Sequence, residues 1–97
     1  MSEGPLELYR TTIAEEWIDY NGHMNVTWYL YAFDRGVDGL AARIGLTEEH
    51  RQETGGTIFA AEGHLTYQRE LKLGDPIIVT LQLLGWDRTR IHTFWRM

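Results

Sequence analysis

Asp19-Tyr20-Asn21-Gly22-His23-Met24-Asn25 runs straight into Val26-Thr27-Trp28-Tyr29-Leu30-Tyr31-Ala32-Phe33, and that join is the most informative point in the sequence. Downstream of it, Val26, Tyr29, Leu30, Phe33, Val37, Leu40, Ala41 and Ile44 recur at three- and four-residue steps. Such spacing predicts one apolar stripe along a helix of about five turns. Asn25 suits the N-cap, Met24 and Tyr29 stand where a hydrophobic staple would, and Gly45 supplies the stop. Gly36 and Gly39 each cost about 1 kcal/mol relative to alanine inside a helix, so close backbone packing or a bend is expected there.

On either side of this helix the pattern changes to that of strands. Leu6–Ile13, after Pro5, reads as an edge strand. Beyond the helix, Thr47 to Arg51 reads as a short capped helical turn, closed by Gly55-Gly56. Thr57–Arg69 alternates, with Phe59, Ala61, Leu65 and Tyr67 opposite Glu62, His64, Thr66 and Gln68. Gly74-Asp75-Pro76 marks a turn into a strand over Ile77–Leu84, and Asp87-Arg88 a second turn into Thr89–Met97. Antiparallel strands around one long helix define an α+β domain, and 97 residues make a single domain over 1–97. The last strand meets the end of the chain at Phe94-Trp95-Arg96-Met97 without a closing element. One sheet edge is therefore expected to be uncovered, either for want of a C-terminal strand or for completion by another chain.

Composition narrows the function classes. Fourteen acidic against nine basic residues give a net charge of −5, which argues against a broad nucleic-acid surface. There is no cysteine, which excludes disulfides and a thiol nucleophile. His23, His50, His64 and His92 show no metal-ligand spacing, so no metal is expected. No run approaches the ~20 apolar residues of a membrane span, and Met1 to Arg10 does not read as a signal peptide. A cytoplasmic protein is the expectation. So small a core is marginal alone, and with disulfides and metals set aside a partner subunit is the expected support.

The chemistry expected at the join follows from helix ends. A helix N-terminus carries unpaired amide donors and about half a positive charge, so it polarises a carbonyl and stabilises the oxyanion formed on attack. A carboxylate on the preceding loop reaches the same carbonyl, or a water beside it, if Gly22 allows a tight bend. Thioesters suit this device because their thiolate leaves without a dedicated acid. Taken alone, however, an Asp-x-Asn-Gly loop before a helix is most often a capped turn.

Asp19-x-x-Gly22-His23-Met24-Asn25, with Tyr29 and Ala32-Phe33-Asp34, resembles the motif of hot-dog-fold acyl-CoA thioesterases related to 4-hydroxybenzoyl-CoA thioesterase. Glu62-Gly63-His64-Leu65-Thr66-Tyr67, Gly74-Asp75-Pro76 and Gln82-Leu83-Leu84-Gly85 are similar in the same order. Trp17 to Met24 and Leu83 to Met97 resemble, more narrowly, thioesterases of carnitine and betaine metabolism. The resemblance implies a hot-dog fold, hydrolysis of a small acyl-CoA thioester without a cofactor, and a homodimer or homotetramer with sites between subunits. It implies that Asp19 is the nucleophile or the base, and that the Val26 backbone amide is the oxyanion donor. Asn25 would cap the helix, while Gly22 and His23 shape the turn and His23 orients Asp19. Arg69, Lys72, Arg88 and Arg90 are then candidates for coenzyme A phosphates, and Glu62 or Asp34 for a second carboxylate. Trp17, Trp28, Trp86 and Trp95 invite comparison with an aromatic cage for a quaternary ammonium group. Two other readings remain: a hot-dog hydratase, whose Asp-x-Asn-Pro-x-His motif the loop approaches but for Gly22 and the placing of His23, and a non-catalytic module that binds acyl thioesters.

Overall fold

In the computed structural model, which describes residues 5–58 and 60–97, a central strand is flanked by one from each end of the chain. The elements are β1 (Leu6–Thr12), a 3-10 turn (Glu15–Trp17), α1 (Val26–Arg43), α2 (Glu48–Thr54), β2 (Pro76–Trp86) and β3 (Ile91–Arg96). β1 and β3 both pair antiparallel with β2, with Tyr9 opposite Val79 and Trp95 opposite Leu81. The ladder shifts between Glu7 and Tyr9 and again between Leu83 and Gly85. Alternation puts Ile77, Val79 and Leu81 on the inner face, where α1 covers them.

Asn25 caps α1 as expected: its side-chain oxygen accepts the Thr27 amide at 2.9 Å. The far end closes at Ile44 and Gly45, whose φ of 84° only glycine adopts freely. The buried face matches the expected stripe only in part. Ala32, Gly36 and Leu40 face inward, flanked by Tyr29 and Phe33, while Leu30 is 62% and Val26 57% exposed. Close approach explains the rotation. A Cβ at Gly36 would stand 2.9 Å from Val79 Cγ1, and one at Gly39 would stand 2.6 Å from the Leu8 carbonyl oxygen. The side with the smallest residues packs deepest, and the gain in contact outweighs leaving Leu30 outside. Of the two expectations for these glycines, tight packing is the one realised.

The strand expected over Thr57–Arg69 does not form. Its described residues carry no sheet ladder and are mostly exposed; Phe59 lies outside the described residues. Alternation prepares a strand but does not supply the facing row of N–H and C=O groups that a ladder needs. The core instead gathers Ile13, Trp17 and Met24 from the first loop with Ala32, Ile77 and Val79. Met24 thus anchors the Asp19 loop in the core beside the first turn of α1.

Candidate active site

Backbone bonds fold the Asp19 loop tightly. Ile18 and Met24 form an isolated bridge, the Asp19 amide donates to the His23 carbonyl at 3.0 Å, and the Gly22 amide donates to the Asp19 carbonyl at 3.0 Å. Gly22 turns the chain at φ 81°, a left-handed conformation that costs other residues more. The Asp19 carboxylate is half-buried, and its Oδ1 accepts the Asn21 amide at 2.9 Å. Asn25 Nδ2 lies 3.4 Å from Asp19 Oδ2 while Asn25 Oδ1 caps the helix. One amide side chain therefore couples the carboxylate to the helix mouth. The Val26 amide donates to no protein acceptor among the described residues.

A second wall comes from residues 67–71. The Met24 amide donates to the Leu71 carbonyl at 2.7 Å, the Tyr29 hydroxyl donates to the Arg69 carbonyl at 3.2 Å, and His23 Nε2 stands 3.1 Å from Glu70 Oε2. Tyr29 and Tyr67 meet edge to face with centroids 5.1 Å apart. Burial pushes the Tyr29 phenol above its ordinary value, which keeps it a donor. Between Asp19, Asn25 and Val26 on one side and Tyr67, Arg69 and Glu70 on the other lies an open cleft of about 450 Å³. Its size suits a small ligand, and it holds a carboxylate together with the start of a helix.

The family model of the thioesterase-like superfamily matches residues 14–97. The chain belongs to the thioesterase-like superfamily. It is 42% identical over 87 residues to a betainyl-CoA thioesterase of Pseudomonas aeruginosa, covering 90% of this chain and 55% of that protein. It is also 40% identical to an L-carnitine dehydrogenase/betainyl-CoA thioesterase of Rhizobium meliloti, covering 99% of this chain and 19% of that one. A Pseudomonas putida KT2440 crystal structure, of a protein provisionally named a thioesterase, superposes with a TM-score of 0.84 at 41% identity. A Staphylococcus aureus protein solved in complex with CoA superposes at 0.88 and 32% identity. These alignments cover 97% and 98% of this chain and 61% of each of those chains. The fold is therefore the hot-dog fold, and the chain spans about half the length of the Pseudomonas aeruginosa relative and about a fifth of the Rhizobium meliloti one.

Within this thioesterase-like fold the expected residues separate into two groups. Asp19, His23, Asn25 and Val26 line one cleft, with Gly22 in the turn that forms it, and Arg69 joins them from the opposite wall. Lys72, Arg88 and Arg90 do not line it. Lys72 sits in the turn before β2, where its amide donates to Asp75 Oδ2, and Arg88 and Arg90 lie on the β2–β3 turn. Arg90 is also engaged by Asp87 at 2.7 Å, and that guanidinium holds the Asp87 carboxyl below its ordinary range. The four basic residues thus form no single patch. His23 meets Asp19 through its backbone, since its carbonyl accepts the Asp19 amide while its imidazole meets Glu70.

Neither Glu62 nor Asp34 lines the cleft, and both are exposed. The tryptophans form no cage. Trp17 and Trp28 stack on one another at 5.4 Å, Trp95 covers Gly36, and Trp86 is 74% exposed. The wall-forming role of Tyr67 was missed because its segment read as a regular strand, and Glu70 because it falls just beyond that strand. The available signal was the cluster Tyr67-Gln68-Arg69-Glu70, which breaks alternation with three successive polar residues. Among the described residues, no helix is long and apolar enough to cross a membrane.

Proposed function

We propose that this chain is the subunit of an acyl-CoA thioesterase in which the thioester carbonyl lies between Asp19 and the first turn of α1. One observation carries the reading: the Asp19 carboxylate shares a cleft with the unengaged Val26 amide, and Asn25 ties that carboxylate to the first turn of α1 through the Thr27 amide. That amide and the helix dipole stabilise the oxyanion as it forms. Asp19 either adds to the carbonyl carbon, expelling the CoA thiolate and leaving an anhydride for water to open, or takes a proton from the attacking water. Neither route calls for a metal or a redox cofactor. The named activity of the Pseudomonas aeruginosa relative and the CoA-bound Staphylococcus aureus neighbour support a small acyl-CoA substrate, with betainyl-CoA first among those to try. A cytoplasmic site of action follows from that substrate.

Hydration is the weaker reading, because His23 points its imidazole to Glu70 and not toward Asp19. The open cleft and the exposed Val26 and Leu30 on α1 favour a homodimer or homotetramer that covers them. The test is thiol release over a panel of acyl-CoA esters, betainyl-CoA included, with light scattering on the same sample. Thiol release that Asp19→Asn abolishes supports the proposal. Ligand binding without thiol release moves the reading to a binding module, and loss of enoyl absorbance without free thiol moves it to a hydratase.

A further inference from the structure

Resting on the Asp19 reading, we infer that Glu70 is a positioning residue: through His23 it holds the loop that aims the Asp19 carboxylate at the mouth of α1. His23 grips two partners at once. Its carbonyl accepts the Asp19 amide at 3.0 Å, and its Nε2 lies 3.1 Å from Glu70 Oε2. The next residue, Met24, donates to Leu71 at 2.7 Å, so two successive loop residues are fastened to two successive residues of the opposite wall.

That wall belongs to no ladder, and besides the packing of Leu71 it is located by these bonds, by Tyr29 on Arg69 and by Tyr67, which meets the Tyr29 ring and donates to the Val26 carbonyl at 3.5 Å. A shift of the His23 carbonyl passes directly to the Asp19 amide, because only Tyr20, Asn21 and Gly22 lie between them, with Gly22 in a left-handed turn. Glu70 itself makes no bond to the Asp19 side chain. Its effect on chemistry is therefore indirect, through the placing of a reacting group, where displacements well under 1 Å already cost rate.

The test combines thiol-release kinetics with amide hydrogen exchange in the full chain. Glu70→Ala should lower kcat about three- to tenfold with KM within about twofold, and should speed exchange at the Asp19 amide severalfold. Glu70→Gln, which keeps an oxygen for the Nε2 proton, should restore most of kcat. In an Asp19→Asn background, Glu70→Ala should cost no further turnover, since a residue acting only through Asp19 has nothing left to place. A raised KM at constant kcat would show instead that Glu70 touches substrate and overturn the inference. So would unchanged exchange at Asp19, or full kcat in Glu70→Ala while Asp19→Asn is inactive. If Asp19→Asn turns over like the parent, or the parent releases no thiol, the Asp19 reading has failed first and takes this inference with it.

Discussion

Along its middle α1 is dry and crowded; at its first turn it is wet and open. Ala32 and Val79 are fully buried where helix meets sheet, and Gly36 and Gly39 leave no room for a methyl group. About a turn and a half before Ala32 the same helix exposes Val26 and Thr27 and borders a cleft that holds a carboxylate. An unpaired polar atom costs stability in the middle, where the buried Arg35 Nε lacks a partner among the described residues, whereas the proposed chemistry at the mouth depends on the Val26 amide being unpaired. On the proposed reading stability and reactivity fall on different turns of one element, and substitutions should separate them.

The largest separation is expected at Asp19. Asp19→Asn keeps an oxygen for the Asn21 amide and nearly the same volume, but loses the charge and the nucleophilic or basic oxygen. Turnover should fall by about 10²–10⁴-fold while the melting temperature moves by less than about 3 °C. Thiol-release assays and thermal melts on the same preparation measure both. A large drop in melting temperature would mean that the mouth also carries the fold.

Gly39→Ala is the mirror-image experiment. Alanine normally favours a helix by about 1 kcal/mol over glycine, so a neutral site would gain stability. Here the new Cβ meets the Leu8 carbonyl oxygen at 2.6 Å, a backbone atom of β1 that cannot swing aside. A net loss of about 1–3 kcal/mol is expected, read by urea titration, with kcat little changed in the fraction that remains folded. A gain in stability would show that α1 lifts easily off the sheet.

The division between middle and mouth bears on what the sequence could reveal. The helix bounds, its cap, the turn at Gly22 and the strands around Val79 and Trp95 depend on neighbours close in sequence, and they were readable. Which face of α1 turns inward depends on how near the sheet can come, so the stripe from Val26 to Ile44 held at Tyr29, Phe33 and Leu40 but not at Val26, Leu30 or Ile44, and Gly36 and Gly39 gave the better clue. Thr57–Arg69 failed for a related reason: alternation is local, but a ladder requires a partner edge brought from elsewhere. In the site, the Asp19 loop was legible as a unit because its bonds span few residues. Arg69, Tyr67 and Glu70 reach it only through tertiary contacts, and Lys72, Arg88 and Arg90 share with Arg69 only their charge.

Asn25 serves both roles, so its effect should be smaller on each scale but visible on both. Asn25→Ala removes the cap on Thr27 and the amide beside Asp19 Oδ2. About 1 kcal/mol of stability and roughly a tenfold loss of kcat are expected together. Asn25→Asp should return the cap but place a second carboxylate beside the first, recovering stability without recovering rate. Recovery of both would show that the cap alone matters, and that the link to Asp19 contributes nothing.

The smallest effect is expected far from both regions, at Arg90→Ala. The guanidinium is mostly exposed and bound to Asp87, an ion pair of the kind that solvent screens heavily. Because the pair holds the Asp87 carboxyl below its ordinary range, whatever it contributes is present at neutral pH and disappears as pH falls through the carboxylate range. The variant and parent should therefore melt within about 2 °C of each other at pH 7 and indistinguishably in acid. KM for acyl-CoA should be unchanged, since Arg90 lies outside the cleft that Arg69 borders. A severalfold rise in KM would place the β2–β3 turn against the coenzyme A moiety, and the helix mouth would then account for only part of the binding surface.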